Sequence, residues 1–300
     1  GSVAALVGPT AVGKTEVSIE VADRLGAEIV SLDSMQVYVG MDVGTAKPGT
    51  EVLRRVPHHL IDRFPPTHDL AVAEFQTLAR EAIADIVARD RLPLLVGGSG
   101  LYFRAVVDDL EFPPRDEAVR TDLESEAEAI GAEALHVRLT EIDPLAASRI
   151  APANARRTIR ALEVIALTNR PFSENDAWDR YESRYRLRVA GLRRDRSELR
   201  SRIAARVQEM LDAGLQEEAE RIVASGMGRT ARQALGYRQV LDAEPGTTAP
   251  ELAESITKAT SRFARRQESW FKSDPRVTWF EADDPNLTSL LIAHLTPGSS

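Results

Sequence analysis

Residues 8–15 read Gly8-Pro9-Thr10-Ala11-Val12-Gly13-Lys14-Thr15, a full G-x-x-x-x-G-K-[ST] phosphate loop, directly after the apolar run Val3 to Val7 and before a helical pattern. The pattern demands a buried strand, a tight loop and a helix in immediate succession, which few folds supply. The glycines let backbone N–H groups turn inward around phosphate oxygens, and the next helix presents its positive end. Lys14 adds a point charge, and the Thr15 hydroxyl suits Mg²⁺. All eight residues are therefore expected around a diphosphate. By motif alone the loop is also nucleotide-binding, with ATP as the usual ligand.

Two further buried parallel strands are expected, Glu28 to Leu32 ending at Asp33, and Leu92 to Val96 followed by Gly97-Gly98-Ser99-Gly100. Between them lie amphipathic helical stretches, Lys14 to Leu25 and Val72 to Arg89. The β-α-β-α-β order predicts an α/β, P-loop NTPase-like, doubly wound parallel sheet whose ligands gather at the strands' carboxyl ends. After Pro113-Pro114 the pattern becomes helical, with an acidic run over 115–135, then Leu135 to Leu139, Pro144 to Ile150 and Asn154 to Thr168. Leu187 to Leu192 and Val277 to Phe280 read as strands returning to the sheet, and Ser197 to Ala213 as a helix. The expected organisation is a core of residues 1–111 and 186–300 with a small all-helical insertion at 112–185.

Three hundred residues, 43% of them hydrophobic, suffice for a full core. No apolar stretch approaches a membrane span, and Gly1-Ser2 reads as a cloning remnant rather than a targeting signal. With no cysteine, disulfides, thiolate metal sites and cysteine nucleophiles are excluded, which fits a cytoplasmic protein. The net charge of −8 argues against general adhesion to nucleic acid, so a polyanionic partner needs a local basic surface. Arginines crowd 184–206 and 262–266; the same clusters also suit solvated helix faces.

Most phosphate-loop ATPases place an acidic residue at the end of a later apolar strand. Here Leu92 to Val96 ends in glycines, and the nearest acidic strand end is Asp33, on a strand expected beside the loop. Asp33 can serve as a general base or cap the next turn. The glycines at 97–100 suit close approach of a ligand or a tight turn equally well. Arg202 and Arg206 share a helix face and can close over a diphosphate or pair with Glu198 or Glu209. His58-His59 is not expected to bind metal, because adjacent histidines rarely converge on one ion. The cations and aromatics of 262–272 suit either unstacked bases or an amphipathic core helix.

Together with the loop, Asp33 to Tyr38 (DSMQVY), Met41 to Pro48 (MDVGTAKP), His58 to Asp62, Val96 to Tyr102 (VGGSGLY), Arg160 to Val164, Gln233 to Arg238 (QALGYR) and Arg265 to Phe271 (RRQESWF) resemble the bacterial tRNA dimethylallyltransferase (tRNA isopentenyltransferase) family. The resemblance runs to about Phe280. It implies transfer of a dimethylallyl group from its diphosphate to N6 of the adenosine just 3′ of the anticodon, in tRNAs reading codons that begin with U. It also implies Asp33 and Lys14 as catalytic residues, Arg206 near the diphosphate, and Mg²⁺ at Thr15. The implied tRNA site comprises Asp33, Ser34, Met35, Gln36, Ser99, Arg120, Arg156, Arg157, Thr158, Ile159, Arg160, Gln233, Ala234, Leu235, Gly236, Tyr237, Arg238, Arg265, Arg266, Gln267, Trp270 and Lys272. The partners implied are tRNA, gripped through its anticodon stem-loop by the insertion, and dimethylallyl diphosphate, with a monomeric enzyme.

Departures from the family pattern are mild. Ser99 and Ser269 stand where threonine is commoner, Lys272 replaces an arginine, and Asn154 replaces an acidic residue. Rival readings are a phosphate-loop kinase of a small metabolite, an adenylate isopentenyltransferase, and a non-catalytic RNA-binding protein. The intact Lys14, Thr15 and Asp33 set disfavours the last.

Overall fold

Five consecutive buried residues, Val3 to Val7, form the core of the strand that precedes the phosphate loop, and a strand buried on both faces must lie inside a sheet. The computed structural model, which describes residues 1–174 and 180–296, places it there. Six parallel strands, β1 (Ser2–Val7), β2 (Glu28–Ser31), β3 (His58–His59), β4 (Pro93–Gly97), β5 (Arg186–Arg193) and β6 (Val277–Glu281), run in the order β3-β2-β4-β1-β5-β6. The chain leaves β1 toward one side and later returns to the other, so the crevice at the carboxyl ends opens where the strand order reverses.

In the first unit, Gly1–Asp109 together with the chain from Glu182 onward, the helices are α1 (Lys14–Leu25), α2 (Thr50–Arg55), α3 (Val72–Ala88) and α4 (Gly100–Val107). The second unit, Leu110–Tyr181, holds α5 (Glu117–Ile130), α6 (Ala132–Ile142), α7 (Pro144–Ser148) and α8 (Ala155–Thr168). The first unit resumes with α9 (Arg196–Asp212), α10 (Leu215–Ala224), α11 (Tyr237–Leu241), α12 (Ala249–Lys272) and α13 (Leu287–Leu295). The expected acidic helical run over 115–135 is covered by α5 and the start of α6. Gly131, at φ 90°, ends α5 and starts α6, a backbone conformation that only glycine adopts readily. Residues 175–179 of the expected insertion and 297–300 of the expected core lie outside the described residues.

Each unit has its own core. In the first, Phe75, Ala79, Ile83 and Ile86 form the buried stripe of α3 and join Leu6, Ile29 and Leu94 of the sheet. In the second, Leu123, Leu135, Leu139, Ile159 and Leu162 pack together. Asp116, Asp143 and Asn154 cap α5, α7 and α8 through side-chain oxygens, each such cap contributing roughly 1 kcal/mol. No described helix is long and apolar enough to cross a membrane.

Candidate active site

The phosphate loop links β1 to α1, and its turn depends on positive φ at Gly8 (147°), Ala11 (62°) and Gly13 (111°). Lys14 donates from Nζ to the carbonyl oxygens of Gly8 (2.8 Å) and Pro9 (2.7 Å). Two contacts hold the loop from outside. Arg202 of α9 donates from Nε to the Ala11 carbonyl at 2.9 Å, and Gln267 of α12 accepts the Thr10 N–H at 2.9 Å. Neither Glu198 nor Glu209 claims Arg202; Glu198 pairs with Arg194 instead.

The strand carrying Asp33 does not adjoin β1, as the sequence had suggested. β4 lies between β1 and β2, and it ends at Gly97, with Gly98 next in the chain. Their role is packing: a Cβ on Gly97 would come within 2.6 Å of the Leu32 Cβ, and one on Gly98 within 2.3 Å of Gln267 Nε2 and 2.9 Å of the Gly8 carbonyl. The short middle strand lets Asp33 and the loop share one cavity of about 470 Å³, lined by Lys14, Thr15, Asp33, Arg202, Arg206 and Gln267 among others.

The charges in that cavity are coupled. Burial pushes the Asp33 carboxyl above its ordinary range, against the Met35 N–H (2.9 Å) and the Arg206 and Lys14 charges, which pull it down. Burial and the Arg206 charge lower Lys14 to about 7, with Asp33 opposing. Burial likewise lowers Arg206 from its ordinary value. A poised carboxylate faces two partly desolvated cations, an arrangement suited to moving a proton beside an anionic leaving group.

Of the expected tRNA-site residues of the first unit, Asp33, Gln36 and Gln267 line this cavity. Gln36 accepts from Ser31 Oγ (3.0 Å) and donates to the Thr45 carbonyl (3.3 Å); Ser34, Met35 and Ser99 are half-buried. Gln233, Arg238, Arg265, Arg266, Trp270 and Lys272 are exposed, and Leu235 is half-buried. Ala234, Gly236 and Tyr237 are buried, and Tyr237 donates its hydroxyl to the buried Glu218. Gln267 is only 7% exposed. The side chains of Tyr237 and Gln267 are thus engaged inside the protein.

In the second unit, Arg120 and Arg160 converge on the fully buried Glu163, at 3.8 and 2.8 Å. Arg160 also donates to the carbonyls of Pro113 (2.7 Å) and Pro114 (3.0 Å). Burial and the nearby charges of Arg160 and Arg120 lower Arg115. Arg156 and Arg157 are exposed, whereas Thr158 and Ile159 face the helical core. The Asn154 side chain accepts from the Arg157 N–H at 3.2 Å, so an amide performs the capping there.

The segment 44–48 has no role assigned from its residues alone, yet Thr45, Ala46 and Pro48 line the cavity. Lys47 is satisfied internally by the Tyr38 carbonyl (2.9 Å), Asp42 (2.5 Å) and Asp62 (2.6 Å). Glu218 holds the segment before it, accepting the N–H groups of Asp42 (3.1 Å), Val43 (3.0 Å) and Gly44 (3.1 Å). Its sequence signal was a carboxylate on the same helical face as Leu215, Ala219 and Ile222. His58 Nδ1 contacts the Val56 carbonyl (2.7 Å), and His59 contacts Glu28 (2.8 Å). No metal-ligating cluster of His, Cys, Asp and Glu occurs among the described residues.

The IPP transferase family model matches residues 36–274. The chain belongs to the IPP transferase family. The match starts after the phosphate loop and Asp33, but relatives extend across both. A tRNA dimethylallyltransferase of Nocardioides sp. is 49% identical over 97% of this chain and 94% of its own. One of Streptomyces coelicolor is 50% identical over 96% and 93%. Among solved IPP transferases, the tRNA isopentenylpyrophosphate transferase of Bacillus halodurans superposes with a TM-score of 0.71 at 41% identity, covering 97% of this chain and 94% of that one. This chain and that structure share the P-loop NTPase-like α/β fold.

Proposed function

We propose that this enzyme transfers a dimethylallyl group from dimethylallyl diphosphate to N6 of the adenosine 3′-adjacent to the anticodon, in tRNAs reading codons that begin with U, and releases pyrophosphate. The allylic C–O bond breaks, a C–N bond forms, and the amine proton passes to Asp33. The observation that carries this reading is the shared cavity in which Asp33 feels the charges of Lys14 and Arg206, within a chain whose near full-length relatives are named for this activity.

Each residue has a task that follows from its chemistry. The adenine amine is a weak nucleophile because its lone pair is delocalised into the ring, so a base must take the proton as the bond forms. Lys14, Arg206 and the loop amides are placed to stabilise charge growing on pyrophosphate. The Thr15 hydroxyl is exposed to the crevice and has no protein partner among the described residues, which fits a hydroxyl that would hold Mg²⁺ together with diphosphate oxygens. Bound there, Mg²⁺ would neutralise part of the leaving-group charge. A stacked adenine is out of reach of such a cavity, so the nucleotide must be flipped out of the anticodon loop. The arginines around Glu163 in the second unit, and separately the exposed cations of α12 in the first, are local basic patches of the kind that a polyanionic partner of an acidic chain needs. A tRNA substrate places the enzyme in the cytoplasm.

The test is to incubate the protein with Mg²⁺, tRNA and either dimethylallyl diphosphate or ATP, then to examine the nucleosides by mass spectrometry. Adenosine carrying one dimethylallyl group is expected only with the prenyl donor. ATP consumption without prenylation overturns the reading in favour of a kinase.

A further inference from the structure

We infer that Gln267 sets the polyphosphate selectivity of the loop, reserving it for a diphosphate and against a triphosphate. The inference rests on the reading that a diphosphate occupies this loop. A nucleotide-binding phosphate loop works by offering its main-chain N–H groups to the anion. In this chain the first half of the loop has few to offer. Pro9 has no N–H, the Thr10 N–H is donated to Gln267 Oε1 at 2.9 Å, and the Val12 N–H points at the Pro9 carbonyl at 3.4 Å. The amides from Gly13 into the first turn of α1 have no helical acceptor. Donors are thus concentrated at the helix start, where a diphosphate fits. A third phosphate would meet the Gln267 carbonyl oxygen where the loop would otherwise present a donor.

The arrangement is built into the packing. Gln267 is 7% exposed, comes from the far end of the chain, and lies so close to Gly98 that any side chain there would collide with its Nε2. Its neighbours Arg265, Arg266 and Trp270 are exposed, so among these side chains it is the one turned into the protein. The assignment makes Gln267 a positioning and specificity residue of the donor site rather than a contact to tRNA.

Calorimetry with inorganic pyrophosphate and inorganic tripolyphosphate, each with Mg²⁺, tests it on the intact protein. The quantity read is the ratio of the two affinities. The native chain is expected to favour pyrophosphate. Gln267→Ala, which frees the Thr10 N–H, is expected to shift the ratio toward tripolyphosphate by about tenfold, the scale of one hydrogen bond to an anion. Gln267→Asn, whose shorter amide cannot reach Thr10, should shift it the same way and serves if the alanine variant fails to fold. Gln267→Glu keeps an acceptor for Thr10 and should retain the native preference. An unchanged ratio in a folded alanine or asparagine variant overturns the inference, as does a native chain that prefers tripolyphosphate. None of these readings needs prenyl transfer, so failure of the activity assay and failure of this assignment are separately visible.

Discussion

The hydroxyl of Tyr237 donates to Glu218 in the interior of the first unit. Glu218 in turn gathers three successive amides from residues 42–44. A tyrosine expected in the tRNA site is therefore a brace beside the segment that lines the cavity. Replacing it by phenylalanine leaves the ring in place but removes one partner of a buried carboxylate. Tyr237→Phe is expected to lower stability by about 1–3 kcal/mol, read from urea denaturation, while affinity for tRNA stays near native. A large loss of tRNA affinity in a stable variant would return Tyr237 to the RNA surface.

Asp33 must be ionised to accept a proton, and its pKa is raised above the ordinary aspartate range. The rate is therefore lost as pH falls through that raised value, so the acid limb of kcat/KM lies above the titration of a free aspartate. Asp33→Ala should cut turnover by at least about 10²-fold with tRNA still bound, as followed by single-turnover kinetics and filter binding.

Lys14, lowered to about 7, is largely neutral at pH 8 in the free protein. An anionic diphosphate favours its ammonium form, so binding at pH 8 should take up protons. Calorimetry in buffers of different ionisation enthalpy measures the uptake, and the part due to Lys14 should vanish in Lys14→Met. Equal proton uptake by the two proteins would show that the lysine stays charged without ligand.

The Glu28 carboxyl is held below the ordinary glutamate range by Arg89 and, with it, His59. Because the folded state depresses this pKa, the associated stability is complete above the unfolded value and is lost as pH falls through the folded one. Urea midpoints between pH 7 and pH 3 should therefore drop less for Glu28→Gln than for the native chain.

The parts of this molecule written in local pattern were legible before the structure. The buried run Val3 to Val7, the helix from Lys14 to Leu25 and the strand near Val277 each follow from a few neighbouring residues. Strand order was not, because nothing in the spacing of Asp33 says that β4 would lie between it and the loop. The fate of individual polar side chains was equally hidden. Lys47 and Gln267 belong to recognisable motifs, yet their partners, Asp62 and Thr10, stand 15 and 257 residues away. Such pairings are set by tertiary packing and leave no periodic trace. Gly97 and Gly98 were ambiguous for the same reason, since only the approach of Leu32 and Gln267 shows what their missing side chains accommodate.

The bond between Thr10 and Gln267 also bears on how the protein is made. A chain emerging from the ribosome exposes Thr10 ahead of Gln267 by 257 residues, and over that interval the loop lacks the amide that holds it. Closing a segment of this length is slow compared with forming α1. Nascent chains halted before residue 267 would carry every residue of the nucleotide-like motif with the Thr10 N–H still uncommitted, and discrimination against a triphosphate would arrive only with α12.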